Sequence, residues 1–364
     1  MAGSIRNYYA GGNTAKGFHS LFDDCLKDLQ KVFILQGAPG TGKSTLMKRV
    51  GEYWAGRDYQ VEYMHCPLDN SSVDGVIISE LKVGIVNGSS FYTITPRALG
   101  AIEEYVNLGE GWDSSKLTEQ KDQILRVSML AGNAKQKAYE HFAEALSIHD
   151  NWEKIYIEAM DFQKADDLTR KLVSQFYGKM TLNKESTVKH RFLGAATPNG
   201  AVDHVPNLTE DVAKRYFIKG RPGSGKSTML RKIAEEAQVR GLDVEVYHCG
   251  FDPNSLDMVI VRELGMAIFD STAPHEYFPS RDGDEIVDMY GSVIASGTDE
   301  IFEEEISNHK AAYKNMMDQA MGFLKEYSEY NQELEQIYTN AMDFEKVNKL
   351  TEHVQDLIHQ LEEK

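Results

Sequence analysis

Short apolar, β-rich runs alternate with amphipathic stretches in the first part of the chain, and the alternation then stops. Val32–Gln36, Val61–His65 and Val83–Val86 are strand-sized, and a helix-like stretch follows Lys43. The same order returns as Tyr216–Lys219, a helix after Lys226, Val244–His248 and Met266–Phe269. Strands separated by crossover helices predict a mainly parallel sheet covered on both faces. Beyond Pro96 and Pro279 the β-signal fades. Lys116–Tyr177 and Asp299–Leu361 are rich in Ala, Glu, Lys, Leu, Gln and Met, and Ile124, Val127, Leu130, Ala131 and Ala134 recur at three- and four-residue steps. These segments predict long helices, broken near Asp150 and Tyr330 into an antiparallel hairpin appended to each sheet.

The repetition is quantitative. Sliding the sequence by 183 positions aligns Lys31–Asn87 with Lys214–Asp270 without a gap, and 22 of the 57 pairs are identical. Further on, Ile155–Phe162 returns as Ile337–Phe344 at an offset of 182. A tandem duplication of nearly the whole unit follows. The polar stretch Lys179–Glu185 suits a linker, which divides the chain into copy 1 (1–183, hairpin about 97–180) and copy 2 (184–364, hairpin about 284–362).

Charge narrows the partners. The 364 residues carry a formal charge of −17, and residues 282–364 contain no arginine. Nucleic-acid binding rests on Lys and Arg neutralising phosphates, so no nucleic-acid partner is expected. Apolar runs stay far below the roughly 18–20 residues of a membrane span, and the N-terminus lacks the apolar core of an export signal; a cytoplasmic protein without a membrane partner is expected. Cys25, Cys66 and Cys249 are too few and scattered for a disulfide framework or a thiolate zinc site.

The strongest chemical signal is Gly37-Ala38-Pro39-Gly40-Thr41-Gly42-Lys43-Ser44-Thr45, with its counterpart Gly220-Arg221-Pro222-Gly223-Ser224-Gly225-Lys226-Ser227-Thr228. Both fit G-x-x-x-x-G-K-[ST], each after a strand-like run and before a helix-like one. Glycines let such a loop curl so that successive N–H groups point inward, and the following helix adds the positive end of its dipole. Lys43 and Lys226 are then placed for β- and γ-phosphates, and the hydroxyls of Ser44 and Ser227 for Mg²⁺. On these residues the sequence resembles the P-loop NTPase superfamily over about the first 90 residues of each copy. Over its whole length it resembles bacterial proteins of similar size with two P-loop ATPase copies in one chain. The resemblance implies an α/β fold of two tandem P-loop domains, with ATP and Mg²⁺ as cofactors.

The copies disagree at one telling position. Gly265–Asp270 is an apolar run ending in an acid, which makes Asp270 the metal candidate; the aligned residue in copy 1 is the neutral Asn87. The difference predicts hydrolysis in copy 2 and mainly binding in copy 1, the alternative being drift at a strand end. Glu263 and Glu80 are candidate water-activating bases, with helix capping or a surface ion pair as the plainer reading. Asp74 and Asp257 read as helix caps. His65-Cys66 and His248-Cys249 read as packing beneath the nucleotide loop, and His275, opposite Tyr92, as a phosphate sensor or a loop residue. Arg6, Arg191 and Arg221 are the arginines considered as charge stabilisers acting across copies. A glycine-rich turn precedes each loop, at Tyr9–Gly17 and Phe192–Gly200.

Three functions fit: a Mg-dependent ATPase of switch or motor type; a nucleotide or small-molecule kinase, weakened by the lack of arginine after Arg281; and a nucleotide-gated module whose acidic hairpins dock a protein partner. The hairpins packing on one another is the simpler alternative to docking.

Overall fold

A computed structural model describes residues 3–88 and 94–363. In copy 1 the order is β1 (Ile5–Tyr8), β2 (Gly11–Thr14), β3 (Gly17–Ser20), α1 (Phe22–Leu26), β4 (Lys31–Gln36), α2 (Lys43–Ala55), β5 (Val61–His65), β6 (Val73–Ile78), β7 (Val83–Asn87), β8 (Glu103–Asn107), α3 (Ser114–Glu119), α4 (Lys121–Glu158) and α5 (Phe162–Tyr177). Copy 2 follows as β9 (Val188–Phe192), β10 (Gly194–Thr197), β11 (Gly200–Asp203), α6 (Val205–Leu208), β12 (Lys214–Lys219), α7 (Lys226–Val239), β13 (Val244–His248), β14 (Leu256–Val261), β15 (Met266–Asp270), β16 (Asp284–Asp288), α8 (Met289–Val293), α9 (Thr298–Ile301), α10 (Glu303–Thr339) and α11 (Phe344–Glu362). None of these helices is long and apolar enough to cross a membrane.

Each copy builds a six-stranded sheet, β1-β5-β6-β7-β4-β8 and β9-β13-β14-β15-β12-β16, so the expected α/β architecture is present twice. The sheets are mixed rather than purely parallel. β6 and β14 run against both of their neighbours, joining β5 to β7 and β13 to β15 as meanders with no crossover helix. The sequence reading passed over these two strands because Asp74-Gly75 and Asp257 interrupt their apolar pattern; β6 is buried along its whole length all the same. Strand pairing and burial outweigh the poor local propensity of Asp and Gly.

Two cores lie on the outer faces of the sheets, under α2 and α7, and a third is shared. In the third, Tyr8, Phe22, Ile34, Met64 and Val86 of copy 1 pack with Leu193, Phe217, Tyr247, Met258 and Phe269 of copy 2. A reciprocal backbone pair marks the pseudo-two-fold between the copies, with Tyr9 N donating to Phe192 O and Phe192 N to Tyr9 O at 3.0 and 2.9 Å.

The helices depart most from expectation. α4 and α5 do not form a self-contained hairpin; α4, 38 residues and about 57 Å long, lies antiparallel along α10. Gln123 meets Glu333 near one end of this pair, His141 meets Phe323 at its middle, and Trp152 meets Lys310 near the other. Ala131, Ala134, Ala138 and Phe142 cluster with Ala320, Leu324 and Tyr327, so the long helices of the two copies pack on one another, as the simpler alternative to docking had it. The short helices are exchanged. α5 of copy 1 covers α7 and α8 of copy 2, while Val347, Val354 and Ile358 of α11 cover the core of copy 1.

Candidate functional site

The two glycine-rich loops leave β4 and β12 and open α2 and α7. Gly42 and Gly225 cap these helices in the left-handed region, at φ of 93° and 84°. Two residues earlier, Gly40 and Gly223 are also left-handed, at 75° and 72°. Only glycine adopts this curl without strain. The lysines fold back over their own loops. Lys43 Nζ donates to the carbonyls of Gly37 (2.9 Å) and Ala38 (2.7 Å), and Lys226 Nζ to that of Arg221 (2.9 Å). Thr41 and Ser224 brace the curl by donating to Ala38 O and Arg221 O, each at 2.8 Å. The hydroxyl of Ser44 accepts from Val73 N at 3.0 Å and that of Ser227 from Leu256 N at 2.9 Å, which ties each loop to the strand that runs the opposite way.

That tie brings in carboxylates the sequence reading had set aside as caps. Asp74 and Asp257 are the second residues of β6 and β14, beside the loop lysines. Burial lowers the Lys43 ammonium to about 8, with Asp74 and Glu335 opposing it. Burial, and then the neighbouring charge of Asp270, push the Asp257 carboxyl up to about 6. Asp270 lies where the sequence placed it, at the end of β15, with Oδ2 3.4 Å from Lys226 Nζ and Oδ1 accepting from Thr272 N and Oγ1. In copy 1 its counterpart Asn87 donates Nδ2 to Asp74 Oδ1 at 3.0 Å. The Lys226 site thus holds two acids where the Lys43 site holds an acid and an amide.

Glu263 is not part of this constellation. Because β14 is antiparallel, the turn from β14 to β15 lies at the edge of the sheet where the parallel strands begin, opposite the loops. There Glu263 accepts from Asp243 N (2.7 Å) and pairs with Lys184 (2.9 Å), while Glu80 accepts from Gln60 N. Both take the plainer reading, a surface contact. The histidines of the His-Cys pairs lie apart from the loops, but their cysteines do not: Cys66 is close enough to Lys43 to act on its charge, and Cys249 bonds Asp257. His65 bonds Asn7 and packs on His204 of copy 2, which puts it at the seam between copies, while His248 bonds His190 of its own copy. None of the three cysteines is joined in a disulfide. His275 donates or accepts at 2.7 Å with Asp203, whose other oxygen takes the Tyr277 hydroxyl at 2.6 Å. Burial opposes protonation of His275, but Asp203 together with Asp257 and Asp270 raises it. Its aligned partner Tyr92 lies outside the described residues.

Each site is completed from the other copy. Glu153, near the end of α4, accepts the Gly223 amide at 3.1 Å, and His149 stands 3.8 Å from the same carboxylate oxygen. A side chain on Gly223 would meet the Glu153 carbonyl at 2.5 Å; one on Gly40 would meet the Glu335 carbonyl at 2.4 Å. Glu153 and Glu335 are therefore equivalent, at the same 182 offset as Ile155 and Ile337, and that offset was the signal in the sequence that could have found them. The glycine-rich turns cross over as well: Ala15 N donates to Phe251 O, and Lys16 lies 3.5 Å from Asp252. The three arginines are all engaged elsewhere, Arg6 with Asp211, Arg191 with Glu62, and Arg221 with Asp299.

Comparison of the chain with protein families, with curated proteins and with solved structures finds no match.

Proposed function

We propose that both loops are P-loop phosphate cradles, that the protein binds Mg·ATP, and that the copy-2 site hydrolyses it while the copy-1 site mainly binds. Support comes from the curl itself. Left-handed glycines curl each loop tightly at the start of helices of 13 and 14 residues, whose dipoles favour an anion. Around the second loop the oxygen donors Ser227, Asp257 and Asp270 are the hard ligands that Mg²⁺ prefers. Bound there, the ion would neutralise charge on the terminal phosphates, and Lys226 would be freed from Asp270 to meet them.

The single observation that carries the division of labour is the Lys226–Asp270 pair at 3.4 Å, set against the Asn87–Asp74 hydrogen bond in the other copy. An amide in place of a carboxylate supplies no negative charge to hold the ion or polarise its water. The test is phosphate release from Mg·ATP by Lys43→Ala and Lys226→Ala proteins. The second change should abolish turnover and the first should leave a measurable remainder; the reverse ranking would overturn the assignment.

A further inference from the structure

The carboxylate of Glu153 sits where a phosphate oxygen would be held. Its Oε1 accepts the N–H of Gly223, a left-handed glycine in the middle of the Lys226 loop, at 3.1 Å. The group comes from the other copy and is carried on a helix that cannot drift away. Three residues further along the same face of α4, the buried Tyr156 donates to Asp299 at 2.9 Å, and Asp299 grips Arg221 of the same loop at 2.7 Å. The backbone of α4 is therefore docked on the loop by Tyr156, while the Glu153 side chain, one third exposed, is free to change rotamer.

At the Lys43 loop the arrangement is the same but the occupant differs. Glu335 approaches Gly40 through its main chain, and its carboxylate turns to accept from Asn331 at 3.0 Å. The residue aligned with Asn331 is His149, which lies 3.8 Å from Glu153 and does not draw that carboxylate off the loop.

We infer that Glu153 is a built-in anion plug for the copy-2 loop, supplied by copy 1, which incoming phosphate must displace from the Gly223 amide. This inference rests on the reading of the Lys226 loop as a phosphate cradle and adds its regulation. A ligand that must first expel an internal competitor binds with an apparent affinity reduced by the fraction of sites that stand open. Site 2 is thereby held shut until phosphate at high local concentration, or a shift of α4 along α10, withdraws the carboxylate. Site 1 carries no such restraint.

The experiment uses the full chain with Glu153→Ala and Glu153→Gln, and Glu140→Gln on the exposed side of the same helix as a control of equal charge change. Two quantities are read: hydrogen exchange of the Gly223 amide without ligand, and calorimetric binding of inorganic pyrophosphate and of Mg·ATP. Glu153→Ala should speed exchange at Gly223 and tighten pyrophosphate binding at one of the two sites about three- to tenfold, with Glu153→Gln between it and wild type and Glu140→Gln unchanged. Unaltered exchange at Gly223 overturns the plug. If wild type binds Mg·ATP and Glu153→Ala binds it no more tightly, the plug fails while the nucleotide reading stands. If exchange accelerates but no protein binds either probe, the contact is real and both the phosphate reading and the plug fall.

Discussion

The guanidinium of Arg191 on β9 lies 2.6 Å from the carboxylate of Glu62 on β5, an ion pair between the two copies with both side chains almost wholly buried. Arg191 also stacks 4.1 Å over the ring of Tyr8, whose hydroxyl donates to the same carboxylate oxygen at 2.9 Å. Tyr8 and Arg191 are equivalent under the 183 offset, as are Glu62 and Glu245. Equivalent positions therefore carry different chemistry where the copies meet: a second tyrosine in place of Arg191 would leave two buried acids facing each other without a central cation.

Replacing Arg191 with Met should destabilise the protein by about 3–5 kcal/mol, because an uncompensated carboxylate is left in the shared interior. The pH dependence gives the sharper check. Burial raises the Glu62 and Glu245 carboxyls, but Arg191 acting with Lys189 and the Tyr8 hydroxyl at Glu62, and with Arg262 and Arg6 at Glu245, more than offsets it, lowering Glu62 and taking Glu245 down to about 2. Groups whose folded pKa is depressed contribute stability above their unfolded value, near 4.5 for glutamate, and lose it as pH falls toward the folded value. The contribution of these two carboxylates to wild-type stability should then be flat from pH 7 to 5 and decline below about 4.5. Without Arg191 burial dominates at Glu62, its carboxyl rises, and the sign inverts. Relative to wild type, the variant should gain melting temperature on acidification from pH 7 to 5, and parallel curves for the two proteins would refute the argument.

The sequence revealed what is local and repeated. Glycine spacing located both loops, and an apolar run ending in an acid located Asp270, because each is dictated by neighbours along the chain. Asp74 and Asp257 were misread because a carboxylate near the start of an element looks like a helix cap until the strand direction is known. Glu263 was misplaced for the related reason that an antiparallel strand reverses which end of the sheet a turn occupies. Lys16, Glu153 and Glu335 escaped because they act on the other copy, and periodicity cannot say whether a helix folds back on its own sheet or reaches across. Nothing in Ala131, Ala134 and Ala138 distinguishes an intramolecular partner from an external one.

The unequal acids make a reciprocal prediction. Asp270→Asn should reproduce the copy-1 arrangement in copy 2, with the new amide free to bond Asp257 as Asn87 bonds Asp74. Phosphate release is expected to fall on the order of 100-fold, the scale of a lost electrostatic group in a catalytic site, while nucleotide affinity changes little. Asn87→Asp, made in the Lys226→Ala protein, should raise turnover from the Lys43 site. A loss of affinity without a loss of turnover in Asp270→Asn would assign Asp270 to binding alone.

Glycine is needed at Gly40 and Gly223 twice over, for the left-handed backbone and for the passing helix. An alanine at Gly223 would place its Cβ 2.5 Å from the Glu153 carbonyl, and one at Gly40 would meet the Glu335 carbonyl at 2.4 Å. Backbone atoms cannot swing aside as a side-chain tip does. Each substitution should cost about 1–3 kcal/mol from the conformation alone, and more from the clash. Alanine at Gly17 or Gly200, where φ is also positive but no atom lies within 4 Å, bears the conformational cost only. Thermal unfolding of the four variants should therefore place Gly40→Ala and Gly223→Ala below the other two; equal losses would mean that the helices do not rest on the loops.

Ala138 and Ala320 occupy the same place in the two copies, both fully buried where α4 crosses α10. Small side chains here let the helices approach closely along a line that ends, on each side, at a glycine-rich loop. Ala138→Leu should force the pair apart, at a cost of about 1–3 kcal/mol for overpacking. The displacement would be transmitted in both directions, because α4 ends on the Lys226 loop and α10 on the Lys43 loop. Ligand binding at both sites should change together in this single variant, whereas Lys43→Ala and Lys226→Ala each alter one. Calorimetry resolving two binding events would show the difference, and a change confined to one site would mean that the two ends of the helix pair act independently.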